Sequence, residues 1–154
     1  MDANQGYAAE GLVALVPELL QARVALLEQP CARGHEEDLE AIDPAMEVAA
    51  DESVLDLGEM DDMSPRFDVV NIKLDKCGGL TEGLLMAARA RDLGRRVMVG
   101  NMAGTSLAMA PAFVLGQCCD VVDLDGPTFL VRDRHPGVIY EGGHIDCPPG
   151  VWGA

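Results

Sequence analysis

The chain has 154 residues, of which 49% are hydrophobic, 4% aromatic and 24% charged. This composition is typical of one globular domain and excludes collagen, coiled-coil and disordered chains. With 26 acidic and 11 basic residues the formal net charge is −15, so neither a nucleic acid nor a membrane surface is expected as a partner. The surplus of carboxylates instead favours hard cations such as Mg²⁺.

Short β-branched, apolar runs alternate with longer amphipathic segments along most of the chain. The runs predict five strands: Val24–Glu28, Val48–Asp51, Val69–Lys73, Arg96–Gly100 and Val121–Asp125. The amphipathic segments predict helices over Ala8–Arg23, Glu36–Met46, Ser53–Ser64, Thr81–Leu93 and Thr105–Cys118. Strands that alternate with helices at this spacing indicate βαβ units and a parallel sheet. After Asp125 follows a Gly- and Pro-rich tail, which we interpret as mostly loop.

Each predicted strand ends in, or is followed at once by, a polar or charged side chain. These residues lie 22 to 28 positions apart and are Glu28, Asp51, Lys73, Asn101 and Asp125. Such a side chain at every strand end is typical of a (β/α)₈ barrel, whereas a doubly wound sheet concentrates its chemistry at one switch point. Asp2 stands 26 residues before Glu28, where an earlier strand would end. Because a complete barrel needs about 200 to 250 residues, the predicted fold class is α/β, a partial TIM-type barrel with five strands and the stub of a sixth.

Three acids at consecutive strand ends predict a cation site. Asp2, Glu28 and Asp51 would converge at the mouth of a barrel, where carboxylate oxygens suit a hard divalent ion and leave positions open for a substrate. One acid in so acidic a chain can fall at a strand end by chance. Three in consecutive units, two of them closing apolar strands, favour a function.

Lys73 is the predicted catalytic base. Alternation along the strand places it opposite Val70 and Ile72, which should meet the helices, so the lysine points into the barrel mouth. Near a bound cation in a partly dry site the ammonium is disfavoured, and the pKa of Lys73 is expected to fall. Lys76 lies beyond the strand and is predicted to be a surface residue.

Asp123 and Asp125 share one face of the last predicted strand by the same alternation. Two neighbouring carboxylates repel each other unless a cation lies between them, and a substrate ammonium is a natural partner. A pair of solvated acids is the alternative. Asn101 and Met102, after the preceding strand, complete the predicted substrate-binding residues, with Met102 either lining the pocket or packing.

The five cysteines indicate a reducing compartment. Their number is odd, two are adjacent and none has C-x-x-C spacing, so neither a disulfide framework nor a zinc site is expected. The opening MDANQGYAAEG lacks the regions of a signal peptide, and no apolar run approaches the roughly 18 residues of a membrane span. We therefore expect a cytoplasmic protein.

Six stretches of the sequence resemble the enolase superfamily, and within it the dipeptide epimerases of the muconate-lactonizing subgroup. They occur in family order from Asp2 to about Asp133 and are Asp2–Gly6, Glu28–Pro30, Ala50–Ser53, Asn71–Gly83 (NIKLDKCGGLTEG), Gly100–Ala112 (GNMAGTSLAMAPA) and Val122–Pro127 (VDLDGP). The resemblance implies that Asp2, Glu28 and Asp51 bind Mg²⁺ and that Lys73 is the second catalytic lysine. It also implies that Asp123 and Asp125 hold the amino group of a dipeptide.

The reaction implied by the resemblance is 1,1-proton transfer at the α-carbon of a dipeptide's C-terminal residue, as in L-Ala-D/L-Glu epimerisation. Mg²⁺ would bind the substrate carboxylate and stabilise an enediolate, while lysines remove and return the proton. The enzyme would be an isomerase. Cycloisomerisation and o-succinylbenzoate synthesis, sister activities of the subgroup, are alternatives, although their substrates lack an ammonium.

The family pattern is incomplete in this sequence. Members carry an N-terminal capping domain and earlier barrel strands, one ending in a K-x-K motif, and the sequence contains neither. We therefore expect the C-terminal portion of a longer enzyme, inactive alone, with 1–133 as a partial barrel domain and 134–154 as its loop-rich tail. The expected partners are a dipeptide and the missing N-terminal half. A homo-oligomer stays open, as does a non-catalytic module that pairs through an exposed sheet edge.

Overall fold

Five short strands form one parallel sheet in the computed structural model, which describes residues 1–42 and 45–153. They follow one another across the sheet in chain order and are β1 (Leu26–Glu28), β2 (Glu47–Ala50), β3 (Val69–Lys73), β4 (Arg96–Gly100) and β5 (Val121–Val122). All four neighbouring pairs are parallel. The predicted α/β class is confirmed, since this strand order is that of a partial (β/α)₈ barrel.

The predicted strand stub lies beside β1. Asp2 forms an isolated parallel bridge with Glu28. Two backbone hydrogen bonds hold it there, from the Glu28 N–H to the Met1 carbonyl (2.8 Å) and from the Ala3 N–H to the Glu28 carbonyl (2.9 Å). The backbone of Asp2 is thereby fixed next to that of Glu28.

Within the described part of the chain, four α-helices connect the elements. They are α1 (Ala9–Gln21), α2 (Leu74–Cys77), α3 (Leu80–Asp92) and α4 (Ser106–Gly116). Three of the predicted helices are confirmed to within two residues at each end, the usual uncertainty of helix boundaries. No helix in residues 1–42 and 45–153 is long and apolar enough to cross a membrane.

The predicted helix over Glu36–Met46 is wrong. The chain forms a shorter 3₁₀ helix over Glu36–Ala41, after which the backbone of Ile42 is extended (φ −87°, ψ 139°). Positions 43 and 44 of that prediction lie outside the described residues. In an α-helix Glu36 and Glu40 would be one turn apart, and like charges at that spacing are destabilising.

The predicted helix over Ser53–Ser64 is also wrong. It is reduced to a single 3₁₀ turn over Leu57–Glu59. The Asp56 side chain accepts a hydrogen bond from the Gly58 N–H (2.9 Å). Such local side-chain bonds offer the backbone an alternative to the helical ladder, and glycine weakens the helix further.

The last strand is shorter than predicted. β5 ends at Val122, so Asp123 and Asp125 lie beyond the sheet and not on a strand face. The reason is the turn that follows: the Thr128 N–H bonds to the Asp125 carbonyl (2.8 Å) at the start of a 3₁₀ helix over Gly126–Phe129.

The tail contains a hairpin that the loop interpretation missed. Strands β6 (Ile139–Glu141) and β7 (His144–Asp146) pair antiparallel. Gly142 and Gly143 connect them with φ values of 58° and 80°, the left-handed conformation that two-residue hairpin turns require. A 3₁₀ helix over Pro149–Trp152 follows. The Gly-Gly pair between two short runs was the sequence signal.

The two faces of the sheet pack against different groups. Val70 and Ile72 belong to the main apolar cluster, which includes the buried side of the helices, whereas Val69 belongs to a smaller cluster. The predicted alternation of β3 is therefore confirmed. Lys73 shares the face of Val69, away from the main core.

Candidate active site

The predicted base and two of the predicted metal ligands meet at the carboxyl ends of three neighbouring strands. Glu28 ends β1, Asp51 follows β2 and Lys73 ends β3. Their side chains are 8%, 4% and 13% exposed, respectively. Charged groups are costly to bury unless they are paired, so this arrangement requires the three to interact.

Both lysines of the chain contact Asp51. Lys73 Nζ lies 2.6 Å from Asp51 Oδ2 and 3.8 Å from Glu28 Oε1. Lys76 Nζ forms an ion pair with the other oxygen of Asp51, Oδ1, and donates a 2.7 Å hydrogen bond to the Asp51 carbonyl. The sequence contains no third lysine. Every lysine ammonium is thus directed at this one residue.

The position of Lys76 corrects a prediction, since the side chain was expected on the surface and is 10% exposed. α2 begins directly after β3 and makes a single turn, which carries position 76 back over the strand ends. The three-residue spacing of the two lysines would have indicated this arrangement, had the strand been known to run directly into a helical turn.

Burial and neighbouring charges shift the pKa values of two of these groups. Burial raises the pKa of Glu28 to about 7, and the charges of Asp2 and Asp51 add to that effect. A hydrogen bond from Asn71 acts in the opposite direction. Burial lowers the pKa of Lys73, but the hydrogen bond to Asp51 and the charges of Asp51 and Glu28 outweigh it, so the pKa of Lys73 is raised. The surrounding carboxylates thus stabilise the ammonium, and the predicted fall beside a bound cation stays a prediction.

Asn71 orients Glu28 from the middle of β3. Its Nδ2 donates to Glu28 Oε1 at 2.6 Å, and the residue is 1% exposed. A Cβ on the facing Gly100 would lie 2.8 Å from Asn71 Oδ1 and 3.0 Å from Lys73 Cε. A glycine is therefore needed at position 100 to leave room for both side chains. In the sequence, the alternation N-x-K is the signal for Asn71, whereas the need for glycine at position 100 follows only from the register of β3 and β4.

Gln29 joins the end of β1 to the end of β2, a contact that the sequence does not predict. Its Oε1 accepts hydrogen bonds from the backbone N–H groups of Asp51 (2.8 Å) and Ser53 (3.1 Å). Its Nε2 donates to Ser53 Oγ (2.8 Å) and to the Cys31 carbonyl (3.0 Å). Because Gln29 is fully buried, these bonds fix the backbone that carries Asp51.

The third predicted metal ligand, Asp2, is exposed and bonded to a neighbour. Its two carboxylate oxygens accept from the backbone N–H (2.8 Å) and from Nδ2 (2.7 Å) of Asn4. Among residues 1–42 and 45–153, no three acidic, His or Cys side chains are close enough together to hold a metal ion. Asp2 nevertheless raises the pKa of Glu28, so the carboxylates share one electrostatic environment. Their oxygens are of the chemical type that Mg²⁺ prefers.

Asp123 and Asp125 are exposed, beyond the end of β5. Within the part of the chain that the structure describes, neither carboxylate has a hydrogen-bond or ion-pair partner. The surrounding protein removes water from Asp123 and raises its pKa, and the charge of Asp125 raises it further. The positive charge of Lys73 acts on the same carboxyl. The pair therefore lies within electrostatic reach of the candidate base.

Asn101 and Met102, the other predicted substrate-binding residues, follow β4. Asn101 Oδ1 accepts a hydrogen bond from the Gly126 N–H (3.4 Å), which holds the backbone just after Asp125. The Met102 side chain is at the surface, 49% exposed. Its backbone N–H donates to Asp75 Oδ2 (3.3 Å). The structure thus gives Asn101 a contact within the protein and leaves the side chain of Met102 free for contact with a ligand.

The sequence matches the enolase C-terminal domain-like family over residues 1–151. It is 39% identical over 145 residues to N-acetyl-D-glutamate racemase of Pseudoalteromonas sp, an alignment that covers 94% of this chain and 46% of the relative. It is also 39% identical over 145 residues to L-Ala-D/L-Glu epimerase of Escherichia coli (strain K12), with 94% and 45% covered. The chain spans about half the length of the curated relatives it matches.

Solved structures share the fold. An enolase family member from Agrobacterium tumefaciens with homology to dipeptide epimerases, determined with bound sodium and L-Ala-L-Glu, superposes with a TM-score of 0.92 at 41% identity, covering 98% of this chain and 47% of that one. The dipeptide epimerase of Methylococcus capsulatus, complexed with Mg and the dipeptide L-Arg-D-Lys, superposes with a TM-score of 0.86 at 32% identity, covering 96% and 44%. These likenesses confirm the partial barrel.

Proposed function

The chain belongs to the enolase C-terminal domain-like family, and we propose that it supplies one catalytic lysine and the substrate-ammonium site of a dipeptide epimerase. The reaction is 1,1-proton transfer at the α-carbon of a dipeptide's C-terminal residue, which makes the complete enzyme an isomerase. The observation that carries the proposal is the location of Lys73. It contacts buried Asp51 and lies within electrostatic reach of Asp123. Neighbouring Asp125 has no partner among the residues that the structure describes.

Lys73 is the proposed catalytic residue: in its neutral form Nζ takes a proton from the substrate α-carbon, and the resulting ammonium, which Asp51 stabilises, returns one. The 2.6 Å contact with Asp51 and the 13% exposure of the lysine hold Nζ in a largely dry location. Exclusion of water strengthens the electrostatic interactions of a charge at this location. Lys76, on the other oxygen of Asp51, and Gln29, on its backbone, keep that carboxylate in place.

Asp2, Glu28 and Asp51 are the residues that would hold Mg²⁺. Three observations support them: carboxylate chemistry, adjacent strand ends, and the effect of Asp2 and Asp51 on the pKa of Glu28. The epimerase of Methylococcus capsulatus has been solved with Mg. When bound, the ion would supply positive charge that polarises a substrate carboxylate.

Asp123 and Asp125 would bind the N-terminal ammonium of the dipeptide. Two exposed carboxylates without a partner in the described residues attract a cation. Burial and then the charge of Asp125 raise the pKa of Asp123, and the repulsion between the two carboxylates is relieved when a cation binds. This electrostatic argument favours substrates with a free amino group.

Racemisation of an N-acylated amino acid is the second candidate function. It is favoured by the 39% identity to N-acetyl-D-glutamate racemase. An acetylated nitrogen carries no charge, so such a substrate would leave the repulsion between Asp123 and Asp125 uncompensated. We therefore rank it below the dipeptide.

The second base is proposed to come from a complementary segment. Epimerisation needs a proton acceptor on one face of the α-carbon and a donor on the other, and both lysines of this chain are directed at Asp51. An open sheet of five strands leaves the barrel unclosed, since a closed one has eight. The missing N-terminal half is thus the proposed partner. A reducing compartment such as the cytoplasm is consistent with five free cysteines.

Calorimetric titration of the chain, with Mg²⁺ present, tests the ammonium site. L-Ala-L-Glu and N-acetyl-L-glutamate are compared on the wild type and on Asp123→Asn. Because a hydrogen bond to a charged group contributes about 1.5–3 kcal/mol, the variant should bind the dipeptide roughly ten- to hundredfold more weakly. Binding of N-acetyl-L-glutamate should not change.

Asp92→Asn is the matched control, since Asp92 is an exposed acid at the end of α3, away from the strand ends. It should bind both compounds as the wild type does. Equal affinity of the wild type for the two compounds, or an Asp123→Asn variant that weakens both alike, would overturn the ammonium assignment and favour the N-acyl substrate.

A further inference from the structure

Tyr140, in the C-terminal hairpin, reaches the backbone between the two acids of the ammonium site. Its hydroxyl donates a 2.5 Å hydrogen bond to the carbonyl of Leu124, sixteen residues earlier in the chain. Leu124 separates Asp123 from Asp125, and its side chain is 1% exposed in the main core. The phenol therefore contacts the segment at its centre, on the backbone and not on a carboxylate.

The neighbouring backbone groups of this segment are held by other parts of the chain. The Asp123 N–H donates to the Val99 carbonyl (2.9 Å) in β4. The Asp125 carbonyl accepts from both the N–H (2.8 Å) and Oγ1 (2.6 Å) of Thr128. Because the segment has left the sheet after Val122, the Leu124 carbonyl has no strand partner to bond, and Tyr140 takes that place.

The hairpin that carries Tyr140 is itself tied to the fold. Ser106, the first residue of α4, accepts the Val138 N–H at Oγ (2.9 Å), and its own N–H donates to Asp133 Oδ1 (2.9 Å). The start of the hairpin strand that carries Tyr140 is therefore held in place by α4. Burial, together with the charge of nearby Asp125, raises the pKa of Tyr140 to about 12, so the phenol remains a donor at neutral pH.

We infer that Tyr140 is a positioning residue for substrate recognition: through the Leu124 carbonyl it holds Asp123 and Asp125 in the spacing that binds a primary ammonium. The hairpin β6–β7 is then part of the specificity apparatus and not only a tail. This inference rests on the ammonium site of the proposed function, because a substrate without a cation would gain nothing from that spacing.

Tyr140→Phe removes the hydroxyl and keeps the ring. Tyr7→Phe is the matched control, because it makes the same change at a tyrosine whose hydroxyl has no hydrogen bond among the described residues. The full chain is titrated with L-Ala-L-Glu and with N-acetyl-L-glutamate, and amide hydrogen exchange is followed in both variants without ligand.

Loss of one hydrogen bond should weaken binding of L-Ala-L-Glu by about three- to tenfold in Tyr140→Phe. Binding of N-acetyl-L-glutamate should stay as in the wild type, so the selectivity ratio falls. The amides of Asp123 and Thr128 should exchange faster by a similar factor, and Tyr7→Phe should change neither quantity. A purely structural role would weaken both compounds alike and leave the ratio constant.

Two results would overturn the inference. Unchanged exchange at Asp123 and Thr128 in Tyr140→Phe would mean that the phenol does not hold the segment. An unchanged ratio in Tyr140→Phe, with Asp123→Asn still selectively weakened, would refute the inference and leave the proposed function intact. A wild type that binds L-Ala-L-Glu no more tightly than N-acetyl-L-glutamate would refute both this inference and the proposed function. In that case Asp123→Asn would also show no selective loss of dipeptide binding.

Discussion

Two groups of charged residues lie at the same edge of the sheet and are built in opposite ways. One is a buried cluster, with side chains 4% to 13% exposed, and consists of Glu28, Asp51, Lys73 and Lys76. The other is an exposed pair, Asp123 and Asp125, without partners in the part of the chain that the structure describes. The cluster pairs its charges within the fold, which suits a fixed base, whereas the pair leaves two charges for a cationic ligand.

The largest expected difference between the two groups is in stability. Asp51→Ala leaves two buried ammonium groups without their carboxylate, and we expect a loss of about 3–5 kcal/mol in the free energy of unfolding. Asp125→Ala removes an exposed, unpaired acid, and we expect a change within about 0.5 kcal/mol. Urea unfolding of the two variants measures both values. Similar losses in the two would contradict the distinction between cluster and pair.

The space around Lys73 gives the next prediction. In Gly100→Ala the new Cβ would lie 2.8 Å from Asn71 Oδ1 and 3.0 Å from Lys73 Cε, and overpacking of this kind costs about 1–3 kcal/mol. In Gly116→Ala the nearest atoms are 3.5 to 3.7 Å away, which is ordinary contact, and alanine favours a helix, so this control should be at least as stable as the wild type. Equal melting temperatures of the two variants would mean that the side chains of Asn71 and Lys73 do not pack tightly against Gly100.

Ionic strength should separate the groups without any mutation. Exposed charges are screened by salt and buried pairs much less, so raising the salt concentration tenfold should weaken binding of L-Ala-L-Glu by about two- to fivefold. The stability difference between the wild type and Asp51→Ala should stay nearly constant. Calorimetry and urea unfolding at two salt concentrations test this, and a salt-independent dipeptide affinity would argue against contact with the exposed pair.

The smallest expected effect is a difference in reaction rate between two cysteine thiols, Cys31 and Cys118. Cys31, just after the end of β1, is fully buried, and burial raises its pKa to about 11. Only the thiolate reacts, so at pH 8 Cys31 should stay unmodified in the folded chain while exposed Cys118, next to β5, is labelled. The rate at Cys31 should rise as the pH approaches 11. Mass spectrometry after reaction with a disulfide reagent checks this, with Cys31→Ser as control; equal rates at the two sites would mean that the β1 end is open.

The sequence predicts the strands well where burial sets the alternation of apolar and polar residues. Val69–Lys73 and Arg96–Gly100 were predicted at their observed bounds, because both are apolar runs whose alternation is decided by the two cores. The helices predicted over Glu36–Met46 and Ser53–Ser64 are wrong. In those segments local side-chain hydrogen bonds and like charges outweigh the apolar periodicity. The hairpin of the tail was marked only by its Gly-Gly turn.

The candidate site was predictable in its residues more than in its interactions. The ends of the predicted strands identify Glu28, Asp51 and Lys73 as candidate site residues, and the structure brings these three together. The position of Lys76 depends on a helical turn that starts without a spacer after β3, and the direction of the pKa shift at Lys73 depends on contacts across three strands. The spacing of residues along the sequence indicates neither the position of Lys76 nor the direction of the pKa shift at Lys73. The roles assigned to these residues remain proposals.

The central claim, that Lys73 is the base of this chain, is tested most directly by ¹H NMR of L-Ala-L-Glu in D₂O with the chain and Mg²⁺. We predict that the wild type exchanges the glutamyl α-proton of one epimer, either L-Ala-L-Glu or L-Ala-D-Glu measured in parallel, for deuterium without inversion, because one base serves one face of the carbon. Lys73→Met should lower the exchange rate at least about 100-fold, whereas Arg134→Met, at an exposed site in the tail, should not. Equal rates for the wild type and Lys73→Met, or a wild type that binds both epimers and exchanges the proton of neither, would contradict the claim.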